Sequence, residues 1–372
     1  MKSTDVKKVI LVAGARPNFM KVAPVLERMK EYPDRFIPFL VHTGQHYDDN
    51  MSKVFFQDLG LPEPDVHLGV GSASHAVQTA RIMTGFEEVI RENKADLIIV
   101  VGDVNSTLAC ALVGAKLHIP VAHIEAGLRS YDRNMPEEIN RVLTDQVSDY
   151  LFTTCKDAEN NLAKEGIEKD KIFFVGNIMI ESLIKISDEL GKSDILDRLS
   201  LRTSQYVLLT LHRPSNVDNK NKLNGILEAL QKIQDQIPVI FPAHPRSVKR
   251  IRDFGLRDFI ASNHQFIVTD PVNYIDFLRL QKDAALVLTD SGGIQEETTF
   301  FNVPCLTLRS TTERPVTVTQ GTNQLIGSEP AAIVEKSFEI LNGNKKSGSV
   351  PQFWDDQVSK RIVEVLFKKE YG

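Results

Sequence analysis

Three acidic residues in the first half of the chain stand where a carboxylate can do acid–base chemistry. Asp103 follows one buried apolar run after a single glycine, Glu125 ends the next, and Glu137 opens a predicted helix. Taken singly, Asp103 is typical of a helix N-cap, and Glu137 is typical of a first-turn acid that complements the helix dipole. Glu125 differs, because an unpaired carboxylate at the end of a buried strand is costly.

These carboxylates are expected to meet at one edge of a sheet, and this favours a functional role for them. Parallel strands bring their carboxyl ends to one edge of a sheet, where open α/β sheets bind ligands. We therefore expect the carboxylates to line one wall together with Arg129 and Arg141. Arg16 lies in the loop after the first predicted strand, where a ligand role and a structural one are equally open. Lys21 lies one turn into the next helix, where a solvated lysine is the alternative to a ligand.

The second half of the chain carries a turn that suits an anion. The stretch at 285–297, A-L-V-L-T-D-S-G-G-I-Q-E-E, runs from an apolar strand through Ser291, Gly292 and Gly293 into a helix. Such a break points free N–H groups at one spot, and the helix dipole adds positive potential there. The pattern predicts a diphosphate site, with a plain βα turn as the alternative. Glu297 either stabilises the helix start or accepts hydrogen bonds from ribose hydroxyls.

Basic turns follow two further predicted strands. His212 and Arg213 end the strand at 206–211, and a His-Arg pair in such a turn can clamp phosphate. His244 and Arg246 form a second basic turn.

The elements that must position these side chains alternate between buried strands and amphipathic helices. This alternation predicts an α/β fold of two doubly wound Rossmann-like domains that face each other across a cleft. A chain of 372 residues is also too long for one ordinary core. We expect an N-terminal α/β domain at 1–176 with the carboxylates, an anion-binding domain at 177–350, and a final helix in 351–372 that packs back on the first domain.

Composition argues against several functional classes. A net charge of −5 argues against nucleic acid as a main partner. No apolar run reaches the ~18 residues of a membrane helix, and the N-terminus does not look like a signal peptide, so we expect a cytoplasmic protein without a membrane partner. Three widely separated cysteines form neither a metal motif nor a disulfide framework, so we expect no metal. The chain has no Walker lysine motif, which argues against ATP hydrolysis.

These residues together predict an enzyme that binds a nucleoside diphosphate sugar, with the sugar directed toward the carboxylates. Carboxylates beside a sugar serve acid–base work or stabilise an oxocarbenium ion. On this reasoning alone, transfer of the sugar and rearrangement of the sugar are equally open.

Six ordered motifs take the interpretation further. They are G-A-R-P-N-F-M-K at 14–21, G-D-V-N-S-T-L at 102–108, H-I-E-A-G-L-R at 123–129, P-E-E-I-N-R at 136–141, T-D-S-G-G-I-Q-E-E at 289–297 and T-E-R-P at 312–315. Together they resemble the non-hydrolysing UDP-N-acetylglucosamine 2-epimerase family over nearly the whole chain. The resemblance implies the glycosyltransferase-B architecture, a homodimer, no NAD or other cofactor, and a role in cell-surface polysaccharide synthesis.

The resemblance also implies a reaction. UDP-N-acetylglucosamine (UDP-GlcNAc) would be epimerised reversibly at C2 to UDP-N-acetylmannosamine (UDP-ManNAc). Anti elimination of UDP would give a 2-acetamidoglucal, and UDP would then add back.

The same resemblance implies roles by motif position. Asp103, Glu125 and Glu137 match the catalytic carboxylates, and His212 matches the histidine near the diphosphate. Further matches are phosphate contacts at Arg16, Ser291 and Gly292, the ribose glutamate at Glu297, and an arginine of the UDP pocket at Arg314. We expect additional substrate contacts from Lys21, Arg141, Arg213 and Gly293.

Departures from the family pattern leave the substrate open. The first motif reads A-R-P-N-F where many members have T-R-P-E, and His212 is followed by R-P-S-N rather than R-R-E. Gln45, His46 and His244 resemble parts of a second, activating UDP-GlcNAc site. The family's arginine before the long helix has no match in G-S-A-S-H at 71–75, so we do not expect activation.

That G-S-A-S-H segment resembles the branch that includes 2-epimerases of UDP-2,3-diacetamido-2,3-dideoxy-glucuronate. A hydrolysing epimerase or glycosyltransferase of the same fold is a further alternative. A regulator that binds a sugar nucleotide without catalysis is another, although the intact carboxylates argue against it.

Overall fold

The computed structural model describes residues 6–45, 63–256 and 265–371. The chain is divided into two units. The first comprises Met1–Lys185 and Gln352–Gly372, and the second comprises Ile186–Pro351.

The described part of the first unit contains a seven-stranded parallel sheet in the order β3-β2-β1-β4-β5-β6-β7. Its strands are β1 (Lys7–Ala13), β2 (Phe36–His42), β3 (Val66–His67), β4 (Leu97–Val101), β5 (Val121–Ala126), β6 (Tyr150–Thr153) and β7 (Ile172–Phe174). The central strand β4 reads L-I-I-V-V and is buried throughout, as expected for a parallel strand covered on both faces. Its helices are α1 (Arg16–Lys30), α2 (His75–Asn93), α3 (Asn105–Lys116), α4 (Pro136–Val147), α5 (Lys156–Lys164) and α6 (Ile178–Lys185).

The second unit contains, within its described residues, a six-stranded parallel sheet in the order β10-β9-β8-β11-β12-β13. Its strands are β8 (Val207–Thr210), β9 (Val239–Pro242), β10 (Phe266–Thr269), β11 (Leu286–Thr289), β12 (Cys305–Thr307) and β13 (Asn323–Leu325). Its helices are α7 (Ile195–Arg198), α8 (Pro214–Val217), α9 (Lys220–Gln234), α10 (Pro245–Asp253), α11 (Tyr274–Lys282), α12 (Gly292–Phe301), α13 (Pro315–Thr319) and α14 (Pro330–Leu341).

Each sheet has a point where the strand order reverses. In the first unit β1 pairs with β2 on one side and with β4 on the other, and in the second unit β8 lies between β9 and β11. The turns that leave two neighbouring strands diverge at such a switch point, which opens a crevice for ligands at the carboxyl edge. The predicted site residues lie at or after the ends of β1, β4 and β5 in one sheet, and after β8, β11 and β12 in the other.

The chain returns to the first unit at its end, where the last helix, α15 (Val358–Tyr371), lies. The buried carboxylate of Glu181 on α6 accepts hydrogen bonds from the backbone N and the hydroxyl of Ser359, each at 2.6 Å. Just before α15, the indole of Trp354 donates to the carbonyl of Thr154 at 3.1 Å. These bonds fix the final segment to the rest of the first unit. Within the described residues, no helix combines the length and apolarity that crossing a membrane requires.

Candidate active site

Glu125 occupies a distorted position at the end of β5. Its φ is +75°, in the left-handed region that non-glycine residues rarely adopt. The pairing of β5 with β6 shifts register between Ile124 and Ala126, so Glu125 is an extra residue in the strand. Such irregularities re-aim a side chain and collect at functional sites. Glu125 is buried and forms an ion pair with the equally buried ammonium group of Lys21 on α1.

Gly102, at the end of β4, lies against this ion pair. A Cβ on Gly102 would lie 3.2 Å from Nζ of Lys21 and 3.3 Å from Oε2 of Glu125, and its φ of +68° also favours glycine. The amide of Asn18 donates to the carbonyl of Val101 at 3.4 Å, and its Oδ1 accepts from the backbone N of Gly14 at 3.0 Å. Asn18 therefore ties the turn after β1 to the end of β4.

Asp103 is held by helix α4. Oδ2 of Asp103 accepts from Nε of Arg141 at 3.0 Å, and the Asp103 carbonyl accepts from the Asn140 amide at 2.9 Å. Glu137 is half-buried on the first turn of this helix and lies four residues before Arg141, on the same helical face. Docking of α4 on the Asp103 turn therefore brings the third predicted carboxylate toward the first.

Arg141 is almost fully buried, and Glu138 is its second partner. Glu138 also accepts from the backbone N of Ser130 at 3.0 Å and from that of Tyr131 at 2.8 Å. The structure thus makes Arg141 a link between Asp103 and the loop before α4.

Arg129 belongs to a buried network of ion pairs and hydrogen bonds next to the turns that carry Asp103 and Glu125. Its guanidinium lies 2.7 Å from Asp145 and 2.6 Å from Glu165. Asp145 also contacts Nδ1 of His123 at 2.6 Å and accepts from the backbone N of Gly127 at 3.1 Å. Nε2 of His123 lies 2.8 Å from the carbonyl of Gly102, so this network connects the turns that carry Asp103 and Glu125.

The charges of this network hold Asp145 ionised. Burial alone would raise the pKa of Asp145, but the charges of His123 and Arg129 and their hydrogen bonds outweigh it, and the pKa is lowered.

The second unit builds its candidate site around Asp290, directly after β11. Its fully buried carboxylate accepts from the backbone N of His212 at 3.0 Å and from that of Arg213 at 2.8 Å. Nδ1 of His212 lies 2.9 Å from Oδ1 of Asp290. Burial would raise the pKa of Asp290, but the bonds and charge from His212 and the bond from Arg213 lower it. The basic turn after β8 is therefore fixed to the glycine turn after β11.

The glycine turn opens helix α12, with Ser291 as its N-cap residue. Gly292 is buried, and a Cβ there would collide with Glu313 and lie 2.6 Å from Nη1 of Arg314. A Cβ on Gly293 would meet no atom within 4 Å among the described residues. Arg314 is buried and forms ion pairs with Glu296 at 2.9 Å and with Glu313 at 2.6 Å.

Glu297 lies on α12 and is also buried. Its Oε1 accepts from the hydroxyl of Tyr274 at 2.7 Å. Burial raises the pKa of Glu297 to about 7, aided by the charge of Glu296 and opposed by hydrogen bonds from Tyr274 and Gln281. This carboxyl group therefore changes charge near neutral pH.

The predicted site residues thus form two groups, one in each unit. Lys21, Glu125, Asp103, Arg141 and Glu137 share the carboxyl edge of the first sheet. The second group follows β8, β11 and β12 and comprises His212, Arg213, Ser291, Gly292, Gly293, Glu297 and Arg314. The side chain of Arg16 and the whole of His46 lie outside the described residues. Within the described part of the chain, no three potential ligand side chains are grouped to hold a metal ion.

Comparison with known proteins identifies the family. The sequence profile described as UDP-N-acetylglucosamine 2-epimerase matches residues 28–367. The chain belongs to this family. The predicted family membership and the enzyme class, an epimerase and hence an isomerase, are confirmed.

Individual relatives cover nearly the whole chain. The UDP-N-acetylglucosamine 2-epimerase of Methanocaldococcus jannaschii is 43% identical over 369 residues, which span 98% of this chain and 100% of the relative. A crystal structure of the enzyme of that organism, in complex with UDP-GlcNAc and UDP, superposes with a TM-score of 0.89 and covers 97% of this chain and 99% of that chain. The UDP-2,3-diacetamido-2,3-dideoxy-D-glucuronate 2-epimerase of Pseudomonas aeruginosa is 41% identical over 365 residues, 97% of this chain and 99% of the relative.

These comparisons and the two parallel sheets confirm the predicted fold class, two doubly wound α/β units of the glycosyltransferase-B type.

Proposed function

We propose that this enzyme interconverts UDP-GlcNAc and UDP-ManNAc by reversible epimerisation at C2 of the sugar. One observation carries the proposal: the turns after β4 and β5 bring the Asp103 turn and Glu125 together around Gly102, beside Lys21 and Arg141. Acidic groups around one point are what removal and return of a carbon-bound proton require. A protein that only bound a sugar nucleotide would need no buried carboxylate such as that of Glu125, which is costly to maintain.

The reaction must remove a proton from C2 of the sugar, and this proton is only weakly acidic. No carbonyl is adjacent to the C2 proton of the sugar, so the proton is not acidic enough for direct removal. Cleavage of the C1–O bond sends its electron pair to UDP and builds positive charge at C1, which acidifies C2–H. A carboxylate then takes the proton, and the C2–H electrons form the C1–C2 double bond of a 2-acetamidoglucal. Protonation of C2 from the opposite face and return of UDP to C1 give the epimer.

Residue roles follow from this sequence of steps. Asp103, Glu125 and Glu137 supply the base on one face of the sugar and the acid on the other. His212, Arg213 and the N–H groups of the turn at Ser291, Gly292 and Gly293 hold the diphosphate as it leaves and returns. Arg16 contributes a further phosphate contact. Glu297 binds the ribose hydroxyls, with Arg314 beside it in the UDP pocket.

The two predicted domains have different roles in this reaction. We assign proton transfer to the domain at 1–176 and UDP binding to the domain at 177–350, with the helix in 351–372 as a structural part of the first. The reaction uses no nicotinamide, because the stereocentre inverts by elimination rather than by oxidation. We also propose that the enzyme is a homodimer, that it acts in the cytoplasm, and that its product is used in cell-surface polysaccharide synthesis.

A second substrate has specific support. The 41% identity to the Pseudomonas diacetamido-glucuronate epimerase is close to the 43% identity to the Methanocaldococcus enzyme. Both substrates carry an acetamido group at C2 and a UDP leaving group at C1, so the same elimination applies to both. They differ at C3, next to the reacting C2, and at C6, but neither difference changes the bonds that break and form.

Proton NMR with both sugars tests the proposal. Purified enzyme is given UDP-GlcNAc, UDP-ManNAc or UDP-2,3-diacetamido-2,3-dideoxy-glucuronate in separate tubes. We expect UDP-GlcNAc and UDP-ManNAc to reach the same equilibrium mixture from either side, without accumulation of free UDP. Turnover of the diacetamido-glucuronate alone would replace the substrate in the proposal. Stoichiometric release of UDP would show a hydrolysing enzyme instead.

A further inference from the structure

We propose that Asp290 is the positioning residue of His212: it holds the imidazole ring with Nδ1 toward its own carboxylate, so that Nε2 is the nitrogen that meets the diphosphate. This inference rests on the proposed function, because it assigns an orientation to a histidine that the proposal places at the leaving group. Asp290 binds the segment around His212 through several hydrogen bonds at once. It accepts from the backbone N of His212, from the backbone N of Arg213 and from the amide of Asn216, at distances between 2.8 and 3.2 Å.

Those contacts leave the ring one orientation. The backbone N of His212 and its Nδ1, at 2.9 Å, reach the same carboxylate, so the residue is held at two points. The carboxylate itself is fully buried, whereas the His212 side chain is 35% exposed. One edge of the imidazole therefore faces a buried acceptor, and the opposite edge remains available to a ligand.

The carboxylate also selects the tautomer. An ionised carboxylate only accepts hydrogen bonds, so Nδ1 must carry a proton whenever it bonds to Asp290. In the neutral ring this leaves the lone pair on Nε2, and in the cationic ring Nε2 carries the second proton. Any proton that the ring exchanges with a ligand therefore passes through Nε2. The lowered pKa of Asp290 keeps its carboxylate ionised at neutral pH.

The neighbouring histidine does not compete for this carboxylate. The His244 ring lies 5.6 Å from the His212 ring, between centroids. Nδ1 of His244 accepts from the backbone N of Arg246 at 3.1 Å, which requires a lone pair on that nitrogen. Burial, together with the charges of His212 and Arg246, lowers the pKa of His244. His212 thus faces one carboxylate and one neutral ring.

This arrangement suits a leaving group that departs and returns. Negative charge builds on the diphosphate as the C1–O bond breaks, and a donor that is already oriented costs no reorganisation at that moment. With Nδ1 fixed on Asp290, Nε2 is the ring nitrogen that faces the diphosphate, and it donates whenever the ring carries both protons. Asp290 touches no reacting atom and acts through His212.

Nitrogen-15 NMR of histidine-labelled protein tests the orientation without any turnover. The His212 signals are assigned as those lost in His212→Gln, and their ¹⁵N shifts show which ring nitrogen carries the proton at high pH. We expect the Nδ1–H tautomer in the unaltered protein. A neutral ring that carries its proton on Nε2 would overturn the proposal. This measurement requires no substitution of Asp290.

Kinetics of Asp290→Asn, His212→Gln and the double variant test the functional link. We expect Asp290→Asn to lower kcat at least tenfold while the Kd of UDP changes much less, because the ring is misdirected and not lost. In the His212→Gln background the same change should have little further effect, since Asp290 acts through the histidine. Asp283→Asn, which alters a carboxylate paired with Arg279 elsewhere in this unit, is the matched control.

Three outcomes would overturn the proposal: equal losses from Asp290→Asn in both backgrounds, loss of UDP binding alone, or unchanged turnover in His212→Gln. Failure of the proposed function would look different. The unaltered protein would then turn over none of the sugars, while the NMR result would still decide the orientation of His212.

Discussion

Nε of Arg141 donates to Oδ2 of Asp103 at 3.0 Å, and the same guanidinium is bound to Glu138. Arg141 is only 2% exposed, and its planar group contacts both carboxylates. The structure therefore makes Arg141 the residue that orients Asp103, in addition to any contact with substrate.

Replacement of Arg141 by lysine should separate orientation from binding. A single ammonium group does not reproduce a planar donor with one edge on Asp103 and another on Glu138. We expect kcat to fall roughly a hundredfold, the usual effect of misplacing a reacting group by about an ångström, with a much smaller change in KM. Arg81→Lys, on the exposed surface of α2, is the control. A rise in KM at constant kcat would show instead that Arg141 serves substrate binding.

A side chain at Gly102 should disturb the candidate site. A Cβ there would lie 3.2 Å from Nζ of Lys21 and 3.3 Å from Oε2 of Glu125, so Gly102→Ala must move the ion pair. Gly166 is the matched control, because its φ is also positive, at +82°, and a Cβ there meets no described atom within 4 Å. Both variants should lose about 1–2 kcal/mol of stability from the left-handed backbone. Only Gly102→Ala should also lose turnover, and equal turnover in the two folded variants would contradict the site.

The affinity for a UDP-sugar should depend on the ionisation of Glu297. Its pKa is about 7, so the carboxyl group is mostly protonated at pH 6 and mostly ionised at pH 8. In its proposed role, ionised Glu297 accepts hydrogen bonds from the ribose hydroxyls, so affinity should rise with pH, by up to about tenfold between pH 6 and the plateau. Calorimetry in two buffers with different ionisation enthalpies should also detect proton release on binding at pH 6.

Two variants sharpen this test. Glu297→Gln should bind more weakly at pH 8 and lose the pH dependence. Tyr274→Phe removes a hydrogen bond that lowers the pKa of Glu297, so it should move the transition to higher pH. A pH dependence that survives in Glu297→Gln would belong to another group.

Asp145 should be essential to the stability of the first unit. Its carboxylate is fully buried and joins His123, Arg129 and the backbone of Gly127. Asp145→Ala leaves buried charge uncompensated, and we expect a loss of about 3–5 kcal/mol. The chain has a single tryptophan, Trp354, which is buried on the first unit, so its fluorescence during denaturation reports that unit.

The pH dependence of this stability has a definite sign. The pKa of Asp145 is lowered in the folded state, so its contribution is present above the ordinary value of 3.8 and is lost as the pH falls below it. Glu87→Ala removes an exposed ion pair with Arg91 in the same unit and should cost less than about 0.5 kcal/mol. Similar losses in the two variants would argue against the network.

Periodicity and turn chemistry predicted the two α/β sheets, because parallel strands that are covered on both faces leave an unmistakable apolar pattern in sequences such as L-I-I-V-V of β4. The same reasoning predicted that the site residues share one edge of each sheet, since the carboxyl ends of parallel strands meet there.

The partners of the site residues were not predictable in the same way. Asn18, Asp145 and Asp290 act through hydrogen bonds to backbone groups that are 18 to 83 residues away in the sequence, and no local spacing records such contacts. One signal was available: Glu137 and Arg141 are four residues apart in P-E-E-I-N-R, which places them on one helical face. The left-handed backbone of Glu125 could not be foreseen, because strain at a non-glycine residue is imposed by the surrounding structure.

The central claim is that a C2 proton is exchanged while UDP returns to the same sugar. Incubation with UDP-GlcNAc in D2O, followed by proton NMR, measures both events in one tube. We predict deuterium at C2 of intact UDP-GlcNAc and UDP-ManNAc, with free UDP remaining below stoichiometric amounts. Epimerised UDP-sugar that keeps its original proton at C2 would contradict this mechanism.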